Sequence, residues 1–381
     1  MAGCAHSRID TGHGRPAARG ACRSSSSHHI GSDRLAFMTT AKRGAKAPTI
    51  AYVMPVRNDA RYLRTAVESI VAQNNPKGTQ IVVAIGPSED KTREIANQLA
   101  EEFPLVIVDN PSGSTPAALN IAMLSTNADV IFRVDAHSEL EPGYAKLAVS
   151  ILQATGATNV GGIMEARGHS SIQKAVAWAY GNFIGLGGGL IHTGGVAGPA
   201  DTVYLGVFRR EDVLAVGGFN ELLVRGQDWE LNARLRESGK VVWFDPRLKV
   251  GYYPRRDIVS LARQFLTTGT FRAYILLANP KRTRMKYLVP PTFILASIAA
   301  VIGFTATLNW WWLLPLYTYA AVVLGGAWLS KGLSLKSRIA LMAVLPTMHL
   351  SWGIGFWRGV FTFRGRDTDV PLNTAAISVH S

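Results

Sequence analysis

From residue 49 onward, short apolar runs alternate with amphipathic stretches. Residues 49–54, 80–85, 105–108 and 129–134 are aliphatic and β-branched runs of strand length. Between them, residues 61–73, 91–103 and 116–124 carry apolar side chains at helical spacing. In the first of these, Leu63, Ala66, Val67, Ile70 and Val71 share a face; in the second, Ile95, Ala96 and Leu99 point inward; Pro116 opens the third. Strands that are apolar throughout, rather than alternately, are covered on both faces, and helices between parallel strands supply the cover. The predicted fold is therefore α/β, a Rossmann-like, mostly parallel sheet with right-handed crossovers. Ligands of such sheets gather beyond the carboxyl ends of the strands. Pro55-Val-Arg-Asn58, Gly86-Pro-Ser-Glu-Asp90 and Asp135-Ala-His137 all fall there.

The pattern continues with a helix at 143–153, a strand at 159–164, an amphipathic helix at 173–180 and a strand at 203–209. A turn at 217–220, a helix beginning near Asp228 with Leu231 and Leu235 inward, and a strand at 241–244 follow. The glycine-rich stretch 185–195 is either a mobile loop or a lid over an acceptor site. No Gly-Lys-Ser/Thr follows it, so it is not a phosphate-binding loop.

In the last quarter, periodicity gives way to three apolar runs, 288–308, 310–329 and 339–360, each long enough to cross a hydrocarbon core of roughly 30 Å. Trp310, Trp311 and Trp312 suit an interfacial belt. Lys281, Arg282, Arg284 and Lys286 precede the first run, and Lys331, Lys336 and Arg338 separate the second from the third. The positive-inside rule then predicts a multi-pass plasma-membrane protein whose large domain is cytoplasmic. A full third crossing, the favoured reading, leaves Arg364 and Arg366 outside; a re-entrant segment around Pro346, His349 and Gly353 is the alternative. The expected divisions are a leader (1–47), the α/β domain (48–275), a basic juxtamembrane segment (276–287), a membrane region of three helices (288–360) and a tail (361–381).

The net charge of +14 is concentrated in the leader and beside the apolar runs. Anionic lipid headgroups and a negatively charged nucleotide account for that placement. No basic stripe with interleaved aromatics points to nucleic acid. Cys4 and Cys22 lie in the leader, so the folded part uses no disulfide and no thiolate metal site. The leader is rich in Ser, Gly, Arg and His without an apolar period. It is expected to be disordered rather than a secretory signal, with Met38 an alternative to Met1 as the translation start.

The chemistry centres on Asp135 and His137 after the fourth strand. On an extended backbone, residues two apart face the same way. A carboxylate and an imidazole side by side can hold a divalent cation together with the diphosphate it neutralises. In isolation the pair is equally an ordinary polar strand end.

Taken in order, five motifs over residues 49–274 resemble the inverting nucleotide-sugar transferases of glycosyltransferase family 2, which have the GT-A fold. They are Met54-Pro-Val-Arg-Asn58, Gly86-Pro-Ser-Glu-Asp-Lys-Thr92, Ala118-Leu-Asn120, Val134-Asp-Ala-His137 and Gln227-Asp-Trp-Glu-Leu-Asn232. The Asp-Ala-His form and the C-terminal apolar runs are most similar to the exopolysaccharide, succinoglycan-type glucosyltransferase branch. The resemblance implies a GT-A catalytic domain followed by transmembrane helices, and roles by position. Asp135 would contact the ribose and the metal-bound diphosphate. His137 would ligate Mn²⁺ or Mg²⁺, the imidazole favouring Mn²⁺. Asp228 would be the general base, although its position also suits a helix cap. Pro55, Asn58, Asp90 and Asn120 would bind the nucleotide-sugar, Asp90 being equally a turn residue. Gln227, Gln264 and Arg272 would meet the acceptor or diphosphate; for Gln264 and Arg272, lipid phosphates are the other reading. His169, His192 and His349 read as structural or surface residues.

Three departures stand out. Gly86 replaces an Asp that many members carry, Gln227 replaces a Glu beside the base, and Gln264 and Arg272 are spaced more loosely than the Gln-x-x-Arg-Trp of polymer-extruding synthases. The implied function is transfer of a sugar, UDP-glucose-like, to a lipid-linked or polysaccharide acceptor at the membrane, with inversion. A catalytically silent nucleotide- or glycan-binding membrane protein of the same fold is the alternative. A sugar-phosphate nucleotidyltransferase would open with a Gly-rich, Arg/Lys-bearing loop, which Met54-Pro-Val-Arg-Asn58 is not.

Overall fold

The computed structural model describes residues 47–280 and 285–365; nearly all of the expected leader, including Met38, together with residues 281–284 and the tail from 366, lies outside the described residues. The N-terminal half alternates as the pattern predicts: β1 (Ile50–Val56), α1 (Leu63–Val71), β2 (Gln80–Ile85), α2 (Thr92–Glu102), β3 (Leu105–Asp109), α3 (Thr115–Leu124) and β4 (Val130–Arg133). Then come β5 (Ser138–Leu140), α4 (Tyr144–Thr155), β6 (Asn159–Ala166), α5 (Ser171–Tyr180), α6 (Phe183–Leu186), α7 (Leu190–Thr193), β7 (Gly198–Pro199), β8 (Tyr204–Arg209) and α8 (Arg210–Ala215). The chain closes with α9 (Gln227–Glu237), β9 (Val242–Tyr252), α10 (Ile258–Ala278), α11 (Val289–Thr307), α12 (Leu314–Leu329) and α13 (Leu335–Phe363).

The strands form one sheet in the order β3-β2-β1-β4-β8-β6-β9-β5, with β7 paired to β9. From β3 to β4 every pairing is parallel. The sheet is mixed beyond that point, because β8 runs antiparallel between β4 and β6. The parallel half is buried on both faces, as its unbroken apolar runs require. Ile50, Tyr52 and Met54 join α1 in one core layer, while Ala51 and Val53 join α3 in the other. On α1, Leu63, Ala66, Val67 and Ile70 are buried, but Val71, expected inward, is 40% exposed because the helix ends there.

Glycines hold the second half together at two contacts. β9 carries Asp245–Leu248 out of register against β6. Gly162 lies where any Cβ would fall on the carbonyl of Leu248. The stretch expected merely to precede the membrane is α10, a helix of 21 residues that continues past residue 275. It packs on α13 backbone to backbone: a Cβ at Gly269 would strike the Trp352 carbonyl, and Cβ atoms at Gly355 and Gly359 would strike those of Leu266 and Thr270. The Thr270 hydroxyl donates to the Gly355 carbonyl at 3.0 Å. Small residues that admit such close approach are the usual glue of membrane helices.

Among the described residues, three helices are long and apolar enough to cross a membrane: Met285–Thr307, Trp310–Leu329 and Leu335–Phe363. Their exposed positions include Leu295, Ile298, Ile302, Leu324 and Trp328, an apolar exterior that suits lipid rather than water. α13 runs unbroken through Pro346 and Gly353 for 29 residues, so it does not turn back on itself. At about 1.5 Å per residue it exceeds a hydrocarbon core. His349 is a structural residue: its ring nitrogens meet the Tyr319 hydroxyl at 3.0 Å and the Ile184 carbonyl at 2.9 Å. That contact ties α6 to α13. The glycine-rich stretch is therefore not wholly loop; it holds α6 and α7.

Candidate active site

The carboxyl ends of β1, β2 and β4 deliver the first part of the site. β4 stops at Arg133, and the chain turns at once, the Ser138 amide donating to the Asp135 carbonyl at 2.9 Å. Asp135 and His137 therefore stand on a turn, and the same-face argument for an extended backbone does not apply. What orients Asp135 is Arg133, a residue the sequence reading passed over. Its guanidinium is buried, donates from Nε to Asp135 Oδ1 at 3.0 Å, and donates from Nη1 to Asp228 Oδ1. Two carboxylates 93 positions apart are thus held by one planar fork, as arginine geometry favours.

Asp228 is the second residue of α9, near the helix's positive end. The cap position is taken by Gly226 in a left-handed conformation, and Asp228 is not the cap. No other hydrogen bond engages the Asp228 side chain among the described residues, and 35% of that side chain is exposed. The electrostatics separate the pair. Burial drives the Asp135 carboxyl up, but Arg133, with help from His137, overrides it and holds the pKa below the ordinary value. At Asp228 burial dominates, Arg133 opposes it and Asp135 adds to it, so this carboxyl is raised. Arg133 itself is held charged: burial disfavours the cation, and the two aspartates more than restore it. Opposed shifts in adjacent carboxyls mark separable acid–base roles.

His137 faces Asp59, a residue not anticipated from sequence, with Nδ1 3.8 Å from Oδ1. Its ring also meets the edge of Tyr252, with centroids 5.5 Å apart. No group of three or more His, Cys, Asp or Glu able to cage an ion occurs among the described residues. The donor set still fits Mn²⁺ or Mg²⁺ of the kind bound with a nucleotide: one imidazole and one or two carboxylates, with diphosphate oxygens and water completing the shell.

Other expected residues are tied into loops. Asn58 adopts a positive φ of 54°, and its side chain accepts from the Glu89 amide at 2.8 Å. Asp90 accepts from the Ala60 amide at 3.1 Å and from the Thr92 amide at 3.1 Å. Burial opposes ionisation of Asp90, yet these bonds and the Thr92 hydroxyl leave its pKa lowered. Together Asn58 and Asp90 lace the β1 loop to the β2 loop. Asn120 is taken on both sides of its amide: Oδ1 accepts from the Phe219 amide at 2.8 Å, and Nδ2 donates to the Phe219 carbonyl and to Glu221. Pro55 lies within β1 at its carboxyl end. Gln227 is buried beside Asp228. Gln264 bonds to the Tyr180 hydroxyl and to Arg255, each at 3.0 Å. Arg272 is buried against the Trp229 and Tyr287 rings, 5.1 and 4.0 Å from their centroids, and its Nη1 has no partner among the described residues.

A cavity of about 450 Å³ opens at the ends of β2 and β3, lined in part by Gly86, Pro87, Arg93, Asp109 and Asn110. Gly86 has a steric reason: a Cβ there would lie 3.0 Å from the Gly113 Cα, so a larger residue needs a backbone shift.

This sheet order, with one carboxylate after a strand end and its partner in the first turn of a helix, is the GT-A fold. The mannosyltransferase PcManGT from Pyrobaculum calidifontis, in complex with GDP-Man and Mn²⁺, superposes with a TM-score of 0.59 at 18% identity over 84% of this chain and 88% of that one. The chain belongs to glycosyltransferase family 2, whose sequence model (Glycosyl transferase family 2) matches residues 52–213. It is 34% identical to the succinoglycan biosynthesis protein ExoA of Rhizobium meliloti over 318 residues, 82% of this chain and 96% of that protein. It is also 25% identical to the glycosyltransferase AglE of Haloferax volcanii over 230 residues, 58% of this chain and 72% of that protein.

Proposed function

We propose that this enzyme moves a hexose, with inversion, from a nucleoside-diphosphate sugar to a lipid-linked or polysaccharide acceptor in exopolysaccharide synthesis, working at the cytoplasmic face of the plasma membrane. The observation that carries the reading is the Asp135–Arg133–Asp228 bridge. It presents one carboxylate kept ionised and one raised and partly exposed, both held by the same guanidinium. The similarity to a succinoglycan biosynthesis protein supports the product class, and the GDP-Man bound to the mannosyltransferase supports a nucleotide-sugar donor.

In this reading the 450 Å³ cavity receives the nucleoside, and the loop after β2, which Asn58 and Asp90 lace to the loop after β1, forms part of its wall. Asp135, His137 and Asp59 would hold a divalent ion, which when bound would supply positive charge to the departing diphosphate. Asp228 accepts the proton of the attacking sugar hydroxyl. Arg133 fixes Oδ1, leaving Oδ2 to face the acceptor, and limits how far burial raises the base. Proton removal runs together with bond formation, because a carboxylate is too weak to deprotonate a hydroxyl beforehand. One base opposite the leaving group gives inversion without a covalent sugar intermediate. The basic segments flanking the apolar helices support the cytoplasmic placement.

The test is a screen of nucleotide-sugars with Mn²⁺ and with Mg²⁺ on purified full-length protein. Metal-dependent turnover of one donor is expected, and binding without any transfer or hydrolysis would favour the silent alternative.

A further inference from the structure

A second cavity, of about 300 Å³, is lined by Arg225, Arg255, Arg263, Ser260, Gln264 and Thr267 along with Val224. No acidic residue lines it. None of the three arginines is in a salt bridge among the described residues. Arg255 only donates to Gln264, at 3.0 Å. Asp257 lies close enough to sense the charge of Arg263, but it caps α10 through the Ser260 amide at 2.8 Å and stands outside the lining. Three guanidinium groups line a cavity that no carboxylate lines, an arrangement that favours entry of an anion, and guanidinium is the side chain best matched to phosphate.

The cavity's place narrows the anion. Arg225 is three residues ahead of Asp228, and its charge is felt by both Asp135 and Asp228. Gln264 touches Tyr180, Tyr180 stacks on Tyr252 at 6.2 Å, and Tyr252 meets His137. An aromatic layer thus stands between this cavity and the proposed donor diphosphate site. Much of the cavity's wall is α10, which carries Arg263, Gln264 and Thr267 and packs through its glycine on the apolar helix α13. A phosphate held here lies between the base and the membrane helices.

We propose that Arg225, Arg255 and Arg263 bind the phosphoryl group of a lipid-borne acceptor, holding its sugar toward Asp228 while its apolar tail runs along the membrane helices. This deepens the proposed transfer reaction and rests on it for the ligand's identity. The test uses full-length protein in neutral-lipid nanodiscs, wild type and the Arg255→Gln/Arg263→Gln pair, with Arg263→Lys as the conservative variant and melting curves as the folding control. Farnesyl diphosphate, inorganic pyrophosphate and UDP with Mn²⁺ are titrated separately, and farnesyl diphosphate again after phosphatidylglycerol is added to the discs. Farnesyl diphosphate is expected to bind wild type and to weaken at least tenfold in the double variant, with partial retention in Arg263→Lys and unchanged UDP affinity. Absent or unaltered farnesyl diphosphate binding overturns the proposal. Equal weakening of UDP overturns it by assigning the arginines to the donor. Full competition by phosphatidylglycerol overturns it in favour of a bulk headgroup site. If UDP with Mn²⁺ fails on wild type while farnesyl diphosphate binds, the donor reading fails and the arginine site stands.

Discussion

From β3 to β4 the polar side chains at and near the strand ends are tied to neighbouring backbone: Asn58 to Glu89, Asp90 to Ala60 and Thr92, Asn120 to Phe219. From β8 to α10 the picture reverses. Arg225, Arg255 and Arg263 line a cavity without a carboxylate, and the buried Arg272 has an unpartnered nitrogen. In the first half these polar groups are satisfied within the chain; in the second, the cavity-lining arginines are left for something outside the chain to satisfy. Arg133 joins the halves, because it sits on β4 and reaches into α9. Under the proposed function, the first region would be the donor pocket and the second would be completed by the acceptor.

The sharpest way to break this division is at the carboxylate pair. Asp228→Asn is expected to lower transfer by about 10²–10⁴-fold, with melting close to wild type because its amide oxygen can still accept from Arg133. Retained activity in initial-rate assays would remove Asp228 from the chemistry. His137→Ala and Asp59→Asn should each raise the Mn²⁺ concentration needed for half-maximal rate by roughly 10–100-fold; an unmoved metal titration would place the ion elsewhere. Arg133→Lys tests the join. Asp228 must be ionised to accept a proton, so rate is present above its pKa and lost as pH falls through it. Since that pKa is raised, the loss should begin above the range of a free carboxylate, about 3.9. A weaker Arg133 contact should move this acid limb to still higher pH, and a limb that stays put would show the bridge to be structural only.

The same substitution has a stability signature of opposite sign. Asp135, held below its ordinary pKa, stabilises the fold above about pH 3.9 and loses that contribution as pH falls through its lower folded value. Arg133→Lys should therefore flatten the pH dependence of melting on the acid side. The smallest expected effect is Asn120→Ala, which should cost about 1–3 kcal/mol of stability through the orphaned Phe219 groups and leave the donor KM nearly unchanged. A large KM change would place Asn120 in the nucleotide pocket.

Local order and the two-sided burial of the parallel strands were legible in the chain itself, because unbroken apolar runs and helical spacing are properties of neighbouring residues. So were the apolar helices and the placement of Asp135, His137 and Asp228 at element ends. Tertiary structure decided what depends on residues distant in sequence. Arg133 reads as one more residue in a strand until Asp135 turns back and α9 brings Asp228 to it. Asp59 has no signal until His137 faces it. Asn58, Asp90 and Asn120 carry donors and acceptors suited equally to a ligand or a loop, and only the fold shows backbone amides already there. The antiparallel insertion of β8 and the glycine contact of α10 with α13 are register and distance, which local sequence pattern does not encode.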